Sequence, residues 1–216
     1  MTTPATAAAS RPLVLVVDDD PLMRDALQAL FRSAGLDSEA FESTGAFLER
    51  TPPEVESCLV LDVQLPGVSG LDFQAQLSTS DRELPVIFMT GHGDIPMSVQ
   101  AMKAGALDFL AKPFRDQDML DAVTAAIEKD RVRRQDMAET RRLQALYRSL
   151  TPREREVMGH VTAGLMNKQT AGEIGLSEIT VKIHRSNLMR KLGARTVAEL
   201  VRIADTIRAH PLREPI

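Results

Sequence analysis

The chain has 216 residues and a net charge of −4, so it has room for two modest domains, each with its own core. Its single cysteine, Cys58, excludes a disulfide framework, and four scattered histidines (His92, His160, His184 and His210) argue against a zinc site. No apolar run approaches the length of a membrane span, so we expect a cytoplasmic protein without a membrane partner.

The first half of the chain alternates short apolar runs with helical patterns. Residues 1–11 are rich in Ala and Thr and are expected to form a disordered tail. Strands are predicted over 13–17, 39–41, 58–61, 85–89 and 106–110. Helices are predicted over 21–35, 44–50, 70–77, 96–104 and from 116 onward. This order predicts an α/β domain over 12–129: a doubly wound, five-stranded parallel sheet with helices on both faces.

Polar side chains follow the predicted strands, where sites of parallel sheets lie. They are Asp18, Asp19 and Asp20 after the first strand, Asp62 after the third, Thr90 after the fourth and Lys112 after the fifth. Carboxylates brought together repel one another unless a cation joins them, and an oxygen-rich site of this kind prefers Mg²⁺. Because Pro21 follows it, Asp20 is better explained as a helix N-cap than as a ligand.

Lys112 has two explanations. By itself it would be an ordinary ion-pair partner of the carboxylates. Together with Thr90 and a carboxylate nucleophile beside a divalent ion, however, it supplies what is needed to accept a phosphoryl group and neutralise its oxygens. The sequence leaves both the cis and the trans isomer of the Lys112-Pro113 peptide bond open.

A charged segment joins the two halves of the chain. Neither glycine nor proline interrupts 116–147, so we expect the fifth helix to continue into a helical linker over 130–149. A flexible charged tether is the alternative.

The last part of the chain predicts an all-α helix-turn-helix domain of four helices over 150–210. Thr151 and Glu154 form a capping box before the first helix, which stops at Gly164. A short second helix follows from Asn167, a good N-cap, to Gly175. Ser177 can cap the third helix, and a fourth follows Gly193.

The third of these helices has two different faces. Val181, Leu188 and Leu192 fall on an arc that can pack on a core. The opposite side suits the DNA major groove, with Ile183 placed as though for a thymine methyl. We predict groove contacts from Lys182, Ile183, Ser186 and Arg190, and phosphate contacts from Thr180 and His184.

The distribution of charge supports a DNA partner for this helix. Residues 1–129 hold 9 Lys and Arg against 20 Asp and Glu, whereas 130–216 hold 17 against 10. A solvated basic face of a small helical module is the alternative, but this asymmetry favours binding to a polyanion.

Taken together, the chain resembles a two-component response regulator of the FixJ/NarL type, and within it the FixJ-like subgroup. The motifs that carry the resemblance are 16–20 (VVDDD), 61–70 (LDVQLPGVSG), 89–94 (MTGHGD), 104–114 (AGALDFLAKPF) and 150–192. The resemblance covers roughly nine tenths of the chain. It implies a receiver domain with a flavodoxin-like sheet, followed by a LuxR-type helix-turn-helix.

The resemblance also implies roles for individual residues. Asp62 would accept a phosphoryl group from a cognate sensor histidine kinase, and Thr90 and Lys112 would contact that group. Asp18, Asp19, Asp62 and the backbone carbonyl of Gln64 would hold Mg²⁺. Phe109 would be the aromatic switch residue. Phosphorylation would favour a homodimer on promoter DNA. The resemblance also favours activation of transcription, together with RNA polymerase, over repression.

Two other functions stay open. A phosphohydrolase would also use an aspartate nucleophile with Mg²⁺, but Gln64 stands where such enzymes place a second, proton-donating aspartate, so we expect no enzyme. A transcription regulator controlled by a ligand or a partner protein, independently of phosphate, is the other alternative. The complete set of Asp18, Asp19, Asp62, Thr90 and Lys112 argues against it.

Overall fold

The computed structural model describes residues 11–67, 69–78, 82–91 and 95–210, with only the backbone described for 78 and 95–97. The predicted tail, except for Arg11, and His92 lie outside this part of the chain. The described residues divide into two compact units between Arg134 and Gln135.

The first unit is built on a parallel sheet. Its strands are β1 (Leu13–Val17), β2 (Asp37–Phe41), β3 (Ser57–Asp62), β4 (Val86–Thr90) and β5 (Asp108–Ala111). The helices between them are α1 (Pro21–Ser33), α2 (Thr44–Glu49), α3 (Gly70–Ser78) and α4 (Ile95–Lys103), and α5 (Asp116–Arg148) follows. The strand order β2-β1-β3-β4-β5 confirms the predicted flavodoxin-like sheet.

Both faces of this sheet are buried, which explains why β1 is apolar at every position and why β3 and β4 are apolar except at their ends. In β1, Leu13, Leu15 and Val17 point to one face, where Phe47, Phe73 and other side chains of α2, α3 and α4 pack. The intervening Val14 and Val16 point to the other face, against α1 and α5. The strands are therefore held rigidly, and so are the side chains at their ends.

Helix α5 is tied to the base of the sheet by a buried carboxylate. Asp130 is fully buried and accepts a hydrogen bond from the Ser57 backbone N–H at 2.9 Å, at the first residue of β3. Arg133 and Arg134 donate to the same carboxylate at 2.5 and 2.6 Å, and Arg134 also reaches the Pro53 carbonyl at 3.0 Å. Helix α5 then continues without interruption to Arg148.

The second unit is entirely helical where it is described. Its helices are α6 (Pro152–Thr162), α7 (Asn167–Ile174), α8 (Glu178–Leu192) and α9 (Val197–Ala209). Thr151 and Glu154 form the predicted capping box of α6, and Ser177 caps α8 through the Thr180 N–H. Gly175 ends α7 in the left-handed conformation, at φ +67°.

The predicted N-cap of α7 is wrong by one residue. Met166 occupies the cap position, and its backbone N–H donates to the Gln169 side chain at 2.8 Å. Asn167 is the first helical residue, and its side-chain oxygen accepts from Arg185 of α8 at 2.9 Å. A tertiary contact with α8 thus uses the side chain that the sequence assigned to a local cap.

The core of the second unit lies between its helices. Val157, Val161, Leu188, Leu192 and Leu200 are among the buried side chains that meet there. A buried acid, Glu154, links α6 to α8 through an ion pair with Lys191 at 2.7 Å. Within the described residues, none of the helices combines the length and the apolar character needed to span a bilayer.

Candidate functional site

The register of the sheet brings the predicted acidic and phosphoryl-binding residues to one edge. Asp62 ends β3 opposite Met89, and Thr90 ends β4 opposite Ala111. The Lys112 backbone N–H, just after β5, donates to the Thr90 carbonyl at 2.7 Å. Asp18 directly follows Val17, which pairs with Leu61. Four strands therefore deliver their C-terminal polar residues to the same edge, as parallel pairing requires.

Lys112 bridges two of the carboxylates. Its Nζ donates to Asp18 Oδ2 at 2.7 Å and to Asp62 Oδ2 at 2.6 Å. Asp18 is 0% exposed and Asp62 is 6% exposed, so these charges are largely removed from water. The Lys112-Pro113 peptide bond just beyond is cis.

The electrostatics of this edge reflect an excess of carboxylates over cations. Burial raises the pKa of Asp18, and hydrogen bonds from Lys112 and from the Asp20 backbone N–H offset only part of that rise. Burial alone would lower the pKa of Lys112, but its hydrogen bonds to Asp18 and Asp62 outweigh this and raise it. The Lys112 side chain is therefore protonated at neutral pH.

Among the described residues, Asp18, Asp19 and Asp62 form a group that could hold a metal ion. A carboxylate oxygen from each lies within 4.8 Å of the others. With Lys112, three carboxylates and one ammonium carry a net charge of −2, which matches one divalent cation. Hard oxygen donors are the ligands that Mg²⁺ prefers, so the residues fit this ion.

Two neighbours complete the description of the acidic edge. Asp20 caps α1 by accepting from the Leu22 N–H at 2.9 Å, as predicted. The Gln64 backbone N–H donates to Asp62 Oδ1 at 2.8 Å. Both oxygens of Asp62 thus have a partner, which fixes the orientation of the carboxylate.

Gly70 is the reason why the loop after β3 can close tightly. Its N–H donates to the Val63 carbonyl at 3.0 Å. A Cβ atom at this position would lie 2.5 Å from the Asp62 carbonyl oxygen, 3.0 Å from Val63 Cα and 3.2 Å from Phe88 Cε1. Only glycine allows α3 to begin this close to the chain that carries Asp62.

Phe109, the predicted switch residue, lies on β5 next to this edge. Its ring is half-buried and tilted against Phe88 of β4, with 6.5 Å between ring centroids. Phe109 pairs with Phe88 in the sheet register, two residues before the pair of Thr90 and Ala111.

Helix α8 in the second unit has the two faces predicted for it. Val181, Leu188 and Leu192 are buried. The predicted groove residues Lys182, Ile183, Ser186 and Arg190 are all exposed, whereas Thr180 and His184 at the edge of that face are half-buried.

The sequence reasoning missed two residues near these sites. Ile179 is 74% exposed and stands four residues before Ile183, at the centre of the exposed face of α8. The spacing of four was a signal that could have found it. Arg24 of α1 donates to the Asp18 backbone carbonyl at 2.7 Å, a contact that no pattern in the sequence predicts.

Comparison with known protein families agrees with both halves of the molecule. Residues 14–124 match the response regulator receiver domain, and residues 148–204 match the bacterial regulatory proteins of the luxR family. The chain belongs to the LuxR-type response regulators. It is thus a transcriptional regulator with a receiver domain and a DNA-binding domain.

Individual relatives extend over almost the whole regulator. Nodulation protein W of Bradyrhizobium diazoefficiens is 54% identical over 202 residues, which cover 94% of this chain and 89% of that protein. Response regulator protein TmoT of Ectopseudomonas mendocina is 43% identical, covering 91% and 89%. The solved structure of response regulator StyR matches with a TM-score of 0.78 at 47% identity, covering 91% of this chain and 99% of that one.

FixJ-type proteins place the regulator in its subgroup. Transcriptional regulatory protein FixJ of Bradyrhizobium diazoefficiens is 40% identical over 191 residues, 88% of this chain and 93% of that protein. Full-length FixJ from B. japonicum matches as a structure with a TM-score of 0.55 at 38% identity, covering 92% and 98%. The FixJ-like resemblance seen in the sequence is therefore confirmed.

Proposed function

We propose that this regulator is switched by a phosphoryl group that a sensor histidine kinase transfers to Asp62, and that the phosphorylated protein binds promoter DNA as a homodimer. The observation that carries the proposal is the bridge from Lys112 Nζ to the carboxylates of Asp18 and Asp62. It places an ammonium directly beside the oxygen atoms that would become an acyl phosphate.

The chemistry can be written from the side chains on the sheet edge. A carboxylate oxygen of Asp62 forms the new P–O bond, while the P–N bond to the kinase imidazole breaks and the imidazole leaves with the electron pair. The Lys112 ammonium would neutralise charge on the phosphoryl oxygens, and the Thr90 hydroxyl, at the end of β4, would donate to one of them. No proton needs to leave Asp62, since the carboxylate is the nucleophile.

We propose that Asp18, Asp19, Asp62 and the Gln64 backbone carbonyl are the protein ligands of Mg²⁺. The group of three carboxylates within 4.8 Å supports this assignment. Bound there, Mg²⁺ supplies charge neutralisation for the oxygens of the transferring phosphoryl group.

Phe109 is proposed to connect the phosphorylated edge to the outside of the sheet. Its ring is half-buried against Phe88, so part of its surface can still be removed from water by an inward turn. Because Phe109 has no hydroxyl group, packing alone would set its inward position.

On the DNA side, we propose that α8 lies in the major groove. Lys182, Ile183, Ser186 and Arg190 form the groove-facing set, and Thr180 and His184 contact phosphates at its edge. Residues 135–216 hold 14 Lys and Arg against 9 Asp and Glu, a net charge of +5 that favours a polyanion. One such domain offers limited affinity, and a second tethered copy gains from effective concentration.

The experiment begins with the phosphoryl mark itself. The full chain is incubated with acetyl phosphate and MgCl₂ and then analysed by intact mass and peptide mapping. We expect a gain of about 80 Da at Asp62, which Asp62→Asn and added EDTA both abolish. A wild-type protein that never gains this mass would contradict the proposal.

The second step measures the consequence of the mark. Size-exclusion chromatography with light scattering, and binding to a duplex selected from a random-sequence DNA pool, are compared with and without acetyl phosphate. We expect a shift towards dimer and tighter DNA binding in the wild type only. Full regulation by Asp62→Asn in cells would instead support control by a ligand or partner, and repeated turnover of small phosphate esters would support a phosphohydrolase.

The direction of regulation is tested with a reporter. We propose activation together with RNA polymerase, so a reporter placed downstream of a bound promoter should rise with the wild type and stay at background with Asp62→Asn. A reporter that falls in the wild type would show repression.

A further inference from the structure

Two isoleucines on α8 expose most of their surface. Ile179 is 74% exposed and Ile183 is 54% exposed, and both are absent from the core of the second unit. Isoleucine is β-branched and gains little on an exposed helix face, because it loses side-chain freedom there and buries only part of its apolar area. Packing of the core of the unit therefore does not require an isoleucine at either position.

The two isoleucines belong to one narrow stripe of the helix. Ile179, Lys182, Ile183, Ser186 and Arg190 fall within an arc of about 100°. The stripe thus mixes two cations with two apolar side chains and one hydroxyl, and all five residues are exposed. A protein interface would be expected to exclude such exposed charges from its centre, whereas the DNA major groove accepts both kinds of side chain.

The position of Ile179 along the helix is equally informative. Ser177 is the N-cap, so Ile179 is the second residue of α8 and Ile183 stands one turn later. In helix-turn-helix proteins, base edges are contacted by the N-terminal residues of the helix in the major groove. The only apolar group that a base offers there is the 5-methyl of thymine.

We propose that Ile179 and Ile183 form an apolar pair that contacts the methyl groups of two thymines in each half-site. This inference rests on the proposed binding of α8 in the major groove. Side chains four residues apart on a helix have Cβ atoms about 5–6 Å apart, and successive bases of one strand are about 3.4 Å apart along the DNA axis. The two thymines therefore lie one or two base-pair steps apart.

The experiment removes single methyl groups from the DNA. A duplex is first selected from a random-sequence pool with the full-length, acetyl phosphate-treated wild type. Each thymine is then replaced in turn by deoxyuracil, which lacks the 5-methyl but keeps the base-pairing groups. Affinities are measured for the wild type, Ile179→Ala, Ile183→Ala, Lys182→Ala and Val132→Ala.

We expect the wild type to lose about fourfold in affinity at each of two thymine positions in every half-site, the effect of one buried methyl group. Ile179→Ala should lose its sensitivity at one of these positions and Ile183→Ala at the other. Lys182→Ala should bind every duplex more weakly but keep both sensitivities. Val132→Ala, which trims an exposed apolar side chain of α5 (45% exposed), should match the wild type.

Other outcomes overturn the inference in distinguishable ways. The wild type could bind the selected duplex equally well whichever thymine is replaced. That result would show that the isoleucines do not contact thymine methyl groups, although α8 still binds DNA. The same holds if Ile179→Ala keeps the wild-type profile, or if it changes only the oligomeric mass. If the selection enriches no sequence, or if the wild type binds no DNA, the proposed function is overturned as well.

Discussion

The acidic edge of the receiver sheet and the exposed face of α8 present their side chains in opposite ways. At the sheet edge, Asp18, Asp62 and Thr90 are buried and are held at the ends of strands packed on both faces. On α8, the proposed groove-facing residues are exposed, and the helix that carries them is held by the buried side chains of its opposite face. Side chains that must be aligned before phosphoryl transfer are thus held by packing on both faces of the sheet. Side chains that are proposed to contact DNA, by contrast, are exposed to water.

The comparison can be tested on the two sides of α8. Leu188→Ala should destabilise the second unit by about 3 kcal/mol, because it removes a fully buried side chain from the core. Ile183→Ala on the other side should cost less than about 0.5 kcal/mol. Tyr147 is the sole tyrosine of a chain without tryptophan and packs against this core, so its fluorescence during urea unfolding reports on this unit. Equal losses for both variants would remove the distinction between the faces.

At the sheet edge, Gly70→Ala should cost about 2 kcal/mol, because its Cβ would lie 2.5 Å from the Asp62 carbonyl oxygen. Gly45→Ala in α2 is the matched control. A Cβ atom there would lie at an ordinary 3.7 Å from Ser43 Oγ, and alanine favours the helix by about 0.5–1 kcal/mol. The rates of hydrogen exchange of the β3 and β4 amides report the change in stability of both variants. An edge that tolerates Gly70→Ala without faster exchange is not as closely packed as the distances indicate.

The base of the same sheet provides the next test. Asp130→Asn should destabilise the first unit by about 1.5 kcal/mol, since hydrogen bonds to Ser57, Arg133 and Arg134 lose the charged acceptor. Asp136→Asn removes an exposed charge from the same helix and should change nothing measurable. The two variants are distinguished by how well the amides of β3 and of the first turns of α5 are protected from hydrogen exchange. Identical exchange in both would mean that the Asp130 contact contributes no stability.

The smallest expected effect concerns the buried acid of the second unit. Burial alone would raise the pKa of Glu154, but hydrogen bonds from Lys191 and Thr151 outweigh it and hold the pKa below its usual range. Its contribution is therefore complete above the unfolded-state pKa of about 4.3 and is lost as the pH falls through the lower folded-state value.

Glu154→Gln tests this direction. The variant should be about 1 kcal/mol less stable than the wild type at pH 7, and the difference should shrink as the solution is acidified towards pH 3. Urea unfolding followed by Tyr147 fluorescence at several pH values gives the comparison. A difference that stays constant with pH would show that the negative charge of Glu154 is not what stabilises the unit.

Much of this molecule was predictable because its patterns are local. The apolar runs before Asp18, Asp62 and Thr90 identified the strands, and their alternation with helices indicated a parallel sheet covered on both faces. Thr151 with Glu154 and Ser177 were identified as caps because capping needs only residues within one turn. The buried and exposed faces of α8 followed from helical spacing alone.

Several features that escaped prediction depend on contacts beyond one helical turn. Asn167 does not cap α7, because Arg185 uses its side-chain oxygen, and Asp130, the first residue of the predicted linker, is a buried anchor at the base of the sheet. Gly70 is required by the approach of α3 to the end of β3.

The sequence by itself determined which residues are apolar, acidic or basic, and at what spacing, and this was enough for the fold class and for the polar residues at the strand ends. Tertiary structure alone decided the contacts between groups far apart in the chain. Lys112 joins Asp18 from 94 residues away because parallel pairing aligns β1, β3 and β5 at one edge. Local propensity carries no information about such distances, since only the packed sheet brings these charges together.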